Sequence, residues 1–360
     1  MHPNGTRCPE GHFDPLMINN SANTRSARIY VTGATGFLGG RAARRLHDLG
    51  YEVTGVGRSR ILGAGLEKDG VRFIPIDLTS ASRVSDTFKG ATHVVHCAAL
   101  ASPWGRYAQF FCANVLATRA VIAACEKNHV ERLVHISTPS VYVGKVDRLD
   151  IREDEPLPEH PINPYAATKL LAEQEVDGAY ERGLATITLR PQMILGDGDT
   201  TLFPRLLRIA RSGRLPVIGN ASNIVDITYI DNAVDAIVRA LHAPSRAVGR
   251  KYNITNGESR SFYAMIDEVL RGAGVAYRPR HIPFHLAYAA AIALEATYST
   301  GMLSGEPSLT RYTTCLLAKS RTLDITAARE ELGYSPAVSL NDTISRLIRT
   351  STKTVSGQIN

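Results

Sequence analysis

The feature that most constrains the fold is a glycine-rich turn between an apolar run and an amphipathic segment. Arg28–Thr32 is a short β-branched run, and Phe37–Leu49 alternates apolar and basic residues at helical spacing. Between them Gly33, Gly36 and Gly39 have GxxGxxG spacing. Glycines at such positions permit a tight turn and let main chain approach a pyrophosphate, which the free N–H groups of the following helix also attract. The segment predicts a dinucleotide cradle rather than an ordinary loop.

Strands and helices alternate in the first half of the chain. Further strands are predicted at Glu52–Val56, Val71–Ile76, Ala91–Cys97, Arg132–Ser137 and Leu184–Arg190, and helices at Tyr107–Lys127 and Tyr165–Tyr180. This alternation predicts an α/β fold of the Rossmann type, with a doubly wound parallel sheet. After Pro191 this alternation of strands and helices stops. Short apolar segments and predicted helices follow at Ile224–Ile230, Lys251–Ile254, Asn232–Leu241, Phe262–Arg271, Pro283–Tyr298, Thr326–Leu332 and Asn341–Arg349.

These patterns predict how the chain divides into domains. We expect a disordered tail over 1–26, an NAD(P)-binding domain over 27–191, a smaller and mainly helical substrate domain over most of 192–351, and a flexible tail over 352–360. Segments near 217–243 are expected to return to the first domain. The N-terminal tail lacks the apolar core of a signal peptide, which favours a cytoplasmic location.

Composition argues against several other classes of protein. The 41 basic and 34 acidic residues give a formal charge of +7, and the arginines are scattered rather than clustered with aromatic residues, so no nucleic-acid partner is expected. The 5 cysteines contain no CxxC pair, so neither a metal site nor a disulfide framework is expected.

The ends of the early strands indicate which dinucleotide binds. An acidic residue at the end of the second strand would bind the ribose hydroxyls of NAD and repel a 2′-phosphate. Gly57 followed by Arg58 stands there instead, which favours NADP(H) over NAD(H), unless Arg58 is only a solvated loop residue. Asp77 either accepts a hydrogen bond from adenine or serves as a turn acid. Ala98 and Ala99 are small enough for a cofactor to lie against their main chain.

A tyrosine and a lysine one helical turn apart suggest the chemistry. Tyr165 and Lys169 lie at positions i and i+4, so both project from one helical face. A free tyrosine has a pKa of about 10, and a nearby ammonium is expected to lower it toward the range useful for proton transfer. A hydroxyl must also hold the substrate oxygen, and Thr138, Ser137 and Ser140 are all capable donors at the end of the fifth strand.

Six segments together resemble the extended short-chain dehydrogenase/reductases. They occur in that superfamily's order over residues 27–336: TGATGFLGG, HCAAL, NVLAT, ISTPSVY, YAATK and LRPQMILG. Three more segments are similar to the 3β-hydroxysteroid dehydrogenase family, a group that includes sterol-4-carboxylate 3-dehydrogenases and 2-alkyl-3-oxoalkanoate reductases: SPWGRY, NIVDITYIDN and GEPSLTRY. Sugar-nucleotide epimerases share the core motifs but resemble this chain less after Pro191.

The resemblance implies roles for particular residues. Thr138, Tyr165 and Lys169 would form the catalytic set, with Tyr165 as general acid/base and Lys169 lowering its pKa and binding ribose. Thr138 stands where serine is more usual, which keeps the hydroxyl. The resemblance and the residue patterns together predict one cofactor-binding set: Gly33, Thr35, Gly36, Phe37, Leu38, Gly39, Arg58, Asp77, Leu78, Ala98, Ala99, Tyr165, Lys169, Pro191 and Gln192.

The predicted activity is hydride transfer between a nicotinamide and a secondary alcohol or ketone on a lipophilic substrate of steroid or lipid metabolism. Trp104, in the loop after the fourth strand, and Thr138 are the predicted substrate contacts. Pro283–Tyr298 is apolar on most faces. It is either an ordinary buried helix or a wall for a sterol or acyl chain that could also touch a membrane surface.

Two other functions remain open at this stage. One is a nucleotide-sugar epimerase or dehydratase that keeps NAD tightly bound, and the other is a dinucleotide sensor without turnover. An intact Tyr165–Lys169 pair argues against the sensor. By the resemblance a homodimer is expected, formed through the helices at Tyr107–Lys127 and Tyr165–Tyr180.

Overall fold

Residues 27–191 alternate strands and helices much as the sequence predicts. A computed structural model describes residues 27–199, 202–211, 213–301 and 303–355. In chain order the elements are β1 (Arg28–Thr32), α1 (Phe37–Asp48), β2 (Glu52–Gly57), α2 (Arg60–Lys68), β3 (Arg72–Pro75), α3 (Ala81–Thr87), β4 (His93–His96), α4 (Tyr107–Phe110), a π-helical turn (Phe111–Leu116), α5 (Ala117–Lys127), β5 (Arg132–Ile136), a 3-10 turn (Pro139–Tyr142), β6 (Arg148–Ile151), α6 (Pro164–Glu181) and β7 (Thr186–Pro191).

The second part of the chain consists of shorter elements. They are β8 (Ile194–Leu195), α7 (Leu202–Arg211), β9 (Arg214–Ile218), β10 (Ile224–Asp226), β11 (Thr228–Tyr229), α8 (Ile230–Leu241), a 3-10 turn (Ser245–Ala247), β12 (Arg250–Ile254), β13 (Ser259–Ser261), α9 (Phe262–Gly272), β14 (Arg278–Ile282), α10 (Phe284–Ser299), α11 (Arg311–Ala318), β15 (Arg321–Leu323), α12 (Thr326–Leu332) and α13 (Leu340–Val355).

The main sheet has seven parallel strands in the order β12-β7-β5-β4-β1-β2-β3. From β1 the chain runs outward through β2 and β3, then returns to the other side of β1 and continues through β4, β5, β7 and β12. Val31 of β1 lies between Gly55 of β2 and Val95 of β4. The prediction of a doubly wound parallel sheet is confirmed. The strand order reverses between β1 and β4, and in such sheets the crevice for a ligand lies there, outside the carboxyl ends of the strands.

Alternate residues of the central strands enter two different apolar layers. Val31, Val95 and Val134 pack in a layer that includes residues of α1, α8 and α12. Their neighbours Val94 and Leu133 pack on the other face with residues of α3, α5 and α6. Burial on both faces explains why these strands are apolar at nearly every position, as parallel strands between helices are.

The smaller part contains a four-stranded sheet, β13-β10-β15-β6, and the strand pairs β11-β8 and β14-β9. These short strands lack a clear period and were not predicted as a sheet. α8 packs on the main sheet and lies within the segments near 217–243 that were expected to return to the first domain, and β12, later in the interval 192–351, completes that sheet. The division into two functional domains stays a prediction. The expected tail 1–26 lies outside the described residues. α13 continues to Val355, which corrects the start of the expected tail at 352.

The predicted long helix Tyr107–Lys127 is interrupted by the π-helical turn. Within this turn the Asn114 side chain accepts a hydrogen bond from Leu100 N (2.7 Å) and donates to Leu100 O (3.2 Å) and Thr168 Oγ1 (3.0 Å). It therefore ties the loop after β4 to α6. By length and composition this helix could cross a membrane, but 56% of its most apolar window is buried, as in the core helix of a globular domain.

A buried ion pair joins α6 to the main sheet. The Arg190 guanidinium, on β7, donates to both carboxylate oxygens of Glu173 at 2.8 and 2.5 Å, and the two side chains are 2% and 1% exposed. Arg190 also donates to the Tyr142 hydroxyl, which in turn donates to Asn253 Oδ1 at 3.1 Å. The network links α6, β7, β12 and the 3-10 turn that precedes β6.

Glu173→Gln should strongly destabilise the fold, because it leaves the buried Arg190 charge without a counterion. Removing one partner of a buried pair costs about 3–5 kcal/mol. We expect a loss of this size in the free energy of unfolding, measured by urea denaturation. The matched control is Glu175→Gln on the same helix, whose partner Arg119 is half exposed, and its loss should be much smaller. Equal losses for the two variants would contradict this assignment.

Candidate active site

The glycine turn fits tightly at two positions and is open at the third. Gly33 has φ +67°, and a Cβ there would lie 2.7 Å from Ala98 N; a Cβ on Gly39 would lie 2.4 Å from Gly33 O. No side chain fits at either position. Gly36 is exposed, has φ −90°, and a Cβ would meet only Gly33 O at 3.2 Å. Space therefore remains in front of Gly36, where main chain faces solvent.

The start of α1 suits an anion. No side chain caps its N-terminus at Gly36, and its first turn, which holds Phe37 and Leu38, contains no acidic residue. The unpaired N–H groups of a helix N-terminus carry partial positive charge and bind phosphate. The Thr35 side chain packs against Gly57, since a Cβ on Gly57 would lie 3.1 Å from Thr35 Oγ1. The turn, the helix and the end of β2 thus fit the diphosphate of a dinucleotide.

The predicted adenosine end lies at the ends of β2 and β3. Arg58 is exposed and Leu78 is buried. Asp77 Oδ1 accepts hydrogen bonds from Thr79 N at 2.9 Å and Thr79 Oγ1 at 2.8 Å. These bonds lower the pKa of Asp77, and the nearby charge of Arg58 acts in the same direction. The turn-acid alternative for Asp77 is therefore present, and its role toward adenine stays a prediction.

The predicted nicotinamide end contains a polar atom without a partner. Pro191 ends β7, and Gln192 after it is only 3% exposed. Gln192 Nε2 is buried and has no hydrogen-bond partner among the described residues. A buried donor left unpaired is costly, so this amide suits an acceptor on a ligand. Ala98 and Ala99, at the end of β4, are half-buried and exposed, which leaves the crevice between β1 and β4 open.

Tyr165 lies in the first turn of α6. Asn163 begins the helix by accepting from Ala166 N at 2.9 Å, and Pro164 occupies the first helical position, as the sequence PINP indicates. Burial raises the pKa of Tyr165; Tyr312 acts in the same direction, and a hydrogen bond with Thr138 partly offsets both. The expected lowering of the phenol pKa by Lys169 is therefore not seen.

The Lys169 ammonium makes its polar contacts with residues at the end of β5. Its Nζ donates to Ile136 O at 2.7 Å and lies 3.2 Å from His135 Nε2, and the side chain is 2% exposed. Burial lowers the pKa of Lys169 to about 8. It also lowers the pKa of His135 well below its ordinary value, with the Lys169 charge acting in the same direction. The end of β5 thus holds the Lys169 ammonium, and the carbonyl of Ile136 takes one of its hydrogen bonds.

A chain of hydroxyl groups extends from Tyr165. Thr138 Oγ1 donates to Ser140 Oγ at 3.0 Å, and Ser140 Oγ lies 2.7 Å from the Tyr312 hydroxyl. Of the three candidate hydroxyls, Thr138 and Ser140 belong to this chain. Ser137 Oγ is buried without a partner among the described residues. Sequence reasoning missed Tyr312, although it ends the GEPSLTRY segment that carries part of the family resemblance.

The predicted substrate wall is exposed rather than buried. Trp104 is half-buried and its ring meets Tyr298 of α10 edge-on, with centroids 6.4 Å apart. Only Ala287 and Ala291 of α10 are buried, and Leu286 and Ile292 are 57% and 50% exposed. The interpretation of α10 as an ordinary buried helix is therefore wrong. The Trp104–Tyr298 contact joins α10 to the loop after β4.

Comparison with known proteins shows which sequences this chain is similar to. A family model described as the NAD dependent epimerase/dehydratase family matches residues 29–255. A 2-alkyl-3-oxoalkanoate reductase of Stenotrophomonas maltophilia is 39% identical over 325 residues, which cover 89% of this chain and 98% of the relative. The human sterol-4-alpha-carboxylate 3-dehydrogenase, decarboxylating, is 30% identical over 349 residues, which cover 95% and 92%.

A solved structure has the same fold. The UDP-glucuronic acid 4-epimerase of Bacillus cereus, in complex with NAD, superposes with a TM-score of 0.71 and 24% identity, over 91% of this chain and 100% of that one. This likeness confirms the Rossmann-type architecture, and the family model and the relatives confirm the family predicted from the motifs.

Gly36→Ala should weaken dinucleotide binding without unfolding the protein. The backbone at Gly36 tolerates alanine, but the methyl group would project into the open part of the turn. We expect the dissociation constant for NADPH, measured by fluorescence titration, to rise at least about tenfold. The melting temperature should stay near that of wild type. The control is Gly65→Ala in α2, where a Cβ meets nothing within 4 Å. Unchanged binding in Gly36→Ala would exclude this turn as the cradle.

Proposed function

Since the chain belongs to the NAD dependent epimerase/dehydratase family, we propose that it interconverts a secondary alcohol and a ketone on a lipophilic substrate. The observation that carries the proposal is the hydroxyl chain that starts at Tyr165 and Thr138. It lies at the carboxyl edge of the sheet, on the same side as the glycine turn, with the buried Lys169 behind it. Proton transfer at a carbon–oxygen bond requires such an arrangement.

The residues divide the chemistry between them. Because burial raises its pKa, Tyr165 is protonated at neutral pH and acts as the proton donor when a ketone is reduced. Thr138 holds the substrate oxygen by a hydrogen bond. When bound, a nicotinamide supplies the hydride or accepts it and, when oxidised, brings a positive charge. In the reverse direction Tyr165 accepts the proton of the alcohol. This requires the phenolate form of Tyr165, which the positive charge of an oxidised nicotinamide would favour.

The names of the two relatives narrow the substrate class. A 2-alkyl-3-oxoalkanoate carries its ketone on the carbon next to the one that bears the carboxylate. A sterol-4-alpha-carboxylate oxidised at position 3 has the same arrangement. We therefore favour a β-oxo or β-hydroxy acid with long alkyl or ring substituents. The sugar-nucleotide epimerases and dehydratases are alternatives that share the fold. NAD that remains bound through purification would favour them.

The exposed surface of α10 supports a lipophilic substrate and contact with a membrane surface. Basic side chains flank its aromatic residues: Lys145 Nζ lies 5.1 Å from the Tyr288 ring centroid, and Lys319 Nζ lies 4.4 Å from that of Phe284. Apolar residues bordered by lysines suit the interface of a membrane with anionic lipids. A homodimer formed through α4, α5 and α6 and a cytoplasmic location complete the proposal.

Tyr165→Phe should abolish turnover and leave cofactor binding intact. The variant lacks only the hydroxyl, and loss of a general acid costs roughly 10²–10⁴-fold in kcat. The assay follows nicotinamide absorbance with NADPH and NADH against β-oxo acids and 3-ketosteroids, with NADPH binding measured separately. Tyr107→Phe, at an exposed tyrosine in α4, is the control and should retain full activity. Full activity in Tyr165→Phe would refute the mechanism.

Arg58→Ala should reduce the preference for NADP(H), which we propose over NAD(H). An exposed guanidinium after Gly57, with no acidic residue at that position, favours a 2′-phosphate. We expect KM for NADPH to rise about tenfold and KM for NADH to change little. The control is Arg60→Ala, two residues further on and equally exposed. If both KM values rose by the same factor, Arg58 would attract either dinucleotide and would not select for the 2′-phosphate.

A further inference from the structure

Arg321 is a buried cation that has no counterion among the described residues. It begins β15, is only 5% exposed, and lies between Val225 of β10 and Arg148 of β6. No carboxylate oxygen of the described residues lies within 4 Å of its guanidinium, and its Nε is buried without a hydrogen-bond partner there. The other deeply buried arginine, Arg190, is bound at both ends of its fork. An unpaired buried charge is expensive, so this position suits an anion from outside the chain.

The face of β15 that carries Arg321 turns toward the catalytic residues. Leu323, two residues along the strand, packs with Val141 and Tyr142 of the 3-10 turn that follows Thr138. The guanidinium of Arg148, the cross-strand neighbour of Arg321, lies 5.7 Å from the Tyr142 ring centroid. β15 is therefore packed against the turn that carries the substrate-holding hydroxyls.

Tyr312 connects Arg321 to the hydroxyl chain. Its hydroxyl lies 2.7 Å from Ser140 Oγ, and Ser140 is bound by Thr138. The positive charge of Arg321 is close enough to act on Tyr312 and counters the rise in its pKa that burial causes. Thr138, Ser140 and Tyr312 are therefore linked by their hydroxyl groups, and the charge of Arg321 acts on the Tyr312 end of this chain.

We propose that Arg321, together with the Tyr312 hydroxyl, forms an anion site that binds the carboxylate of the substrate while Tyr165 and Thr138 hold its reacting oxygen. This inference rests on the proposed alcohol/ketone activity and specifies its substrate as a β-oxo or β-hydroxy acid. A guanidinium fork matches the two oxygens of a carboxylate, and a charge-assisted hydrogen bond is about twice as strong as a neutral one.

Asp226, the carboxylate whose charge acts on Arg321, already accepts two hydrogen bonds. Asp226 Oδ1 accepts from Ser259 Oγ and its Oδ2 from Leu323 N, both at 2.6 Å. Burial raises the pKa of Asp226 to about 6, and the charge of Arg321 acts in the opposite direction. Asp226 forms no ion pair with Arg321, and both of its carboxylate oxygens already accept hydrogen bonds. If Arg321 served only to balance Asp226, the variants below would lose activity on acids and esters alike.

The test compares an acid with its ester. The probes are a medium-chain 2-alkyl-3-hydroxyalkanoic acid and its methyl ester, oxidised with NADP⁺ by the full-length protein. Wild type should prefer the acid. Arg321→Gln should lose about 100-fold in kcat/KM on the acid, chiefly through KM, and change the ester rate by less than about threefold. Arg321→Lys should recover part of the loss. Arg148→Gln is the control, since that arginine is paired with Glu155 at 2.7 Å, and it should keep the preference for the acid.

A binding measurement makes the inference independent of turnover. A 2-alkylalkanoate without a hydroxyl group, titrated calorimetrically, should bind wild type and Arg148→Gln about equally and Arg321→Gln at least about tenfold more weakly. Equal effects on acid and ester, or unchanged carboxylate binding in Arg321→Gln, would overturn the anion site. If Arg321→Gln fails to fold, the wild-type preference and the Arg321→Lys variant decide the same question. If wild type oxidises neither probe but still binds the carboxylate through Arg321, the proposed activity fails and the anion site stands.

Discussion

The contact between Gly33 and the end of β4 is the constraint on which the site depends. Main chain after β1 lies so close to Cys97 and Ala98 that a single Cβ at Gly33 would come within 2.7 Å of Ala98 N. The positive φ of Gly33 turns the chain there and brings α1 over the sheet. Because strand order reverses between β1 and β4, this contact closes the base of the crevice and leaves its mouth open. Every other functional element is positioned relative to this point.

A buried polar seam extends from the crevice beneath the catalytic helix. Thr32 Oγ1 lies 2.7 Å from His96 Nδ1, and His96 Nε2 lies 3.0 Å from Thr118 Oγ1. The His96 and His135 rings are 5.4 Å apart, and His135 contacts Lys169. Burial lowers the pKa of both histidines, so the seam is uncharged apart from Lys169. These neutral partners fix the lysine without neutralising it.

Sequence patterns predicted the helices and strands whose formation depends on residues close together in the chain. Strand burial, helical periodicity and the i, i+4 spacing of Tyr165 and Lys169 all lie within short windows, and the corresponding elements are present. The direction of the Tyr165 pKa was not predictable, because it depends on burial by residues far along the chain. Tyr312 and Arg321 were missed for the same reason. They reach the site through α11 and the three-residue strand β15, which is too short to show a period.

The two buried arginines show how the two parts of the molecule differ. Arg190 lies where α6, β7 and β12 meet, and its guanidinium is bound by the Glu173 carboxylate and the Tyr142 hydroxyl, so its charge stabilises a fixed arrangement. Arg321 lies in the small sheet, and its Nε has no hydrogen-bond partner among the described residues. Burying a charge in this way lowers the stability of the fold. The difference follows from their tasks. The proposed reaction requires the part that carries Tyr165 to be rigid to within a hydrogen-bond length, and the proposed anion site requires Arg321 to stay uncommitted until an anion binds. A buried charge left unpaired in the free protein is a cost in stability that only a ligand can offset.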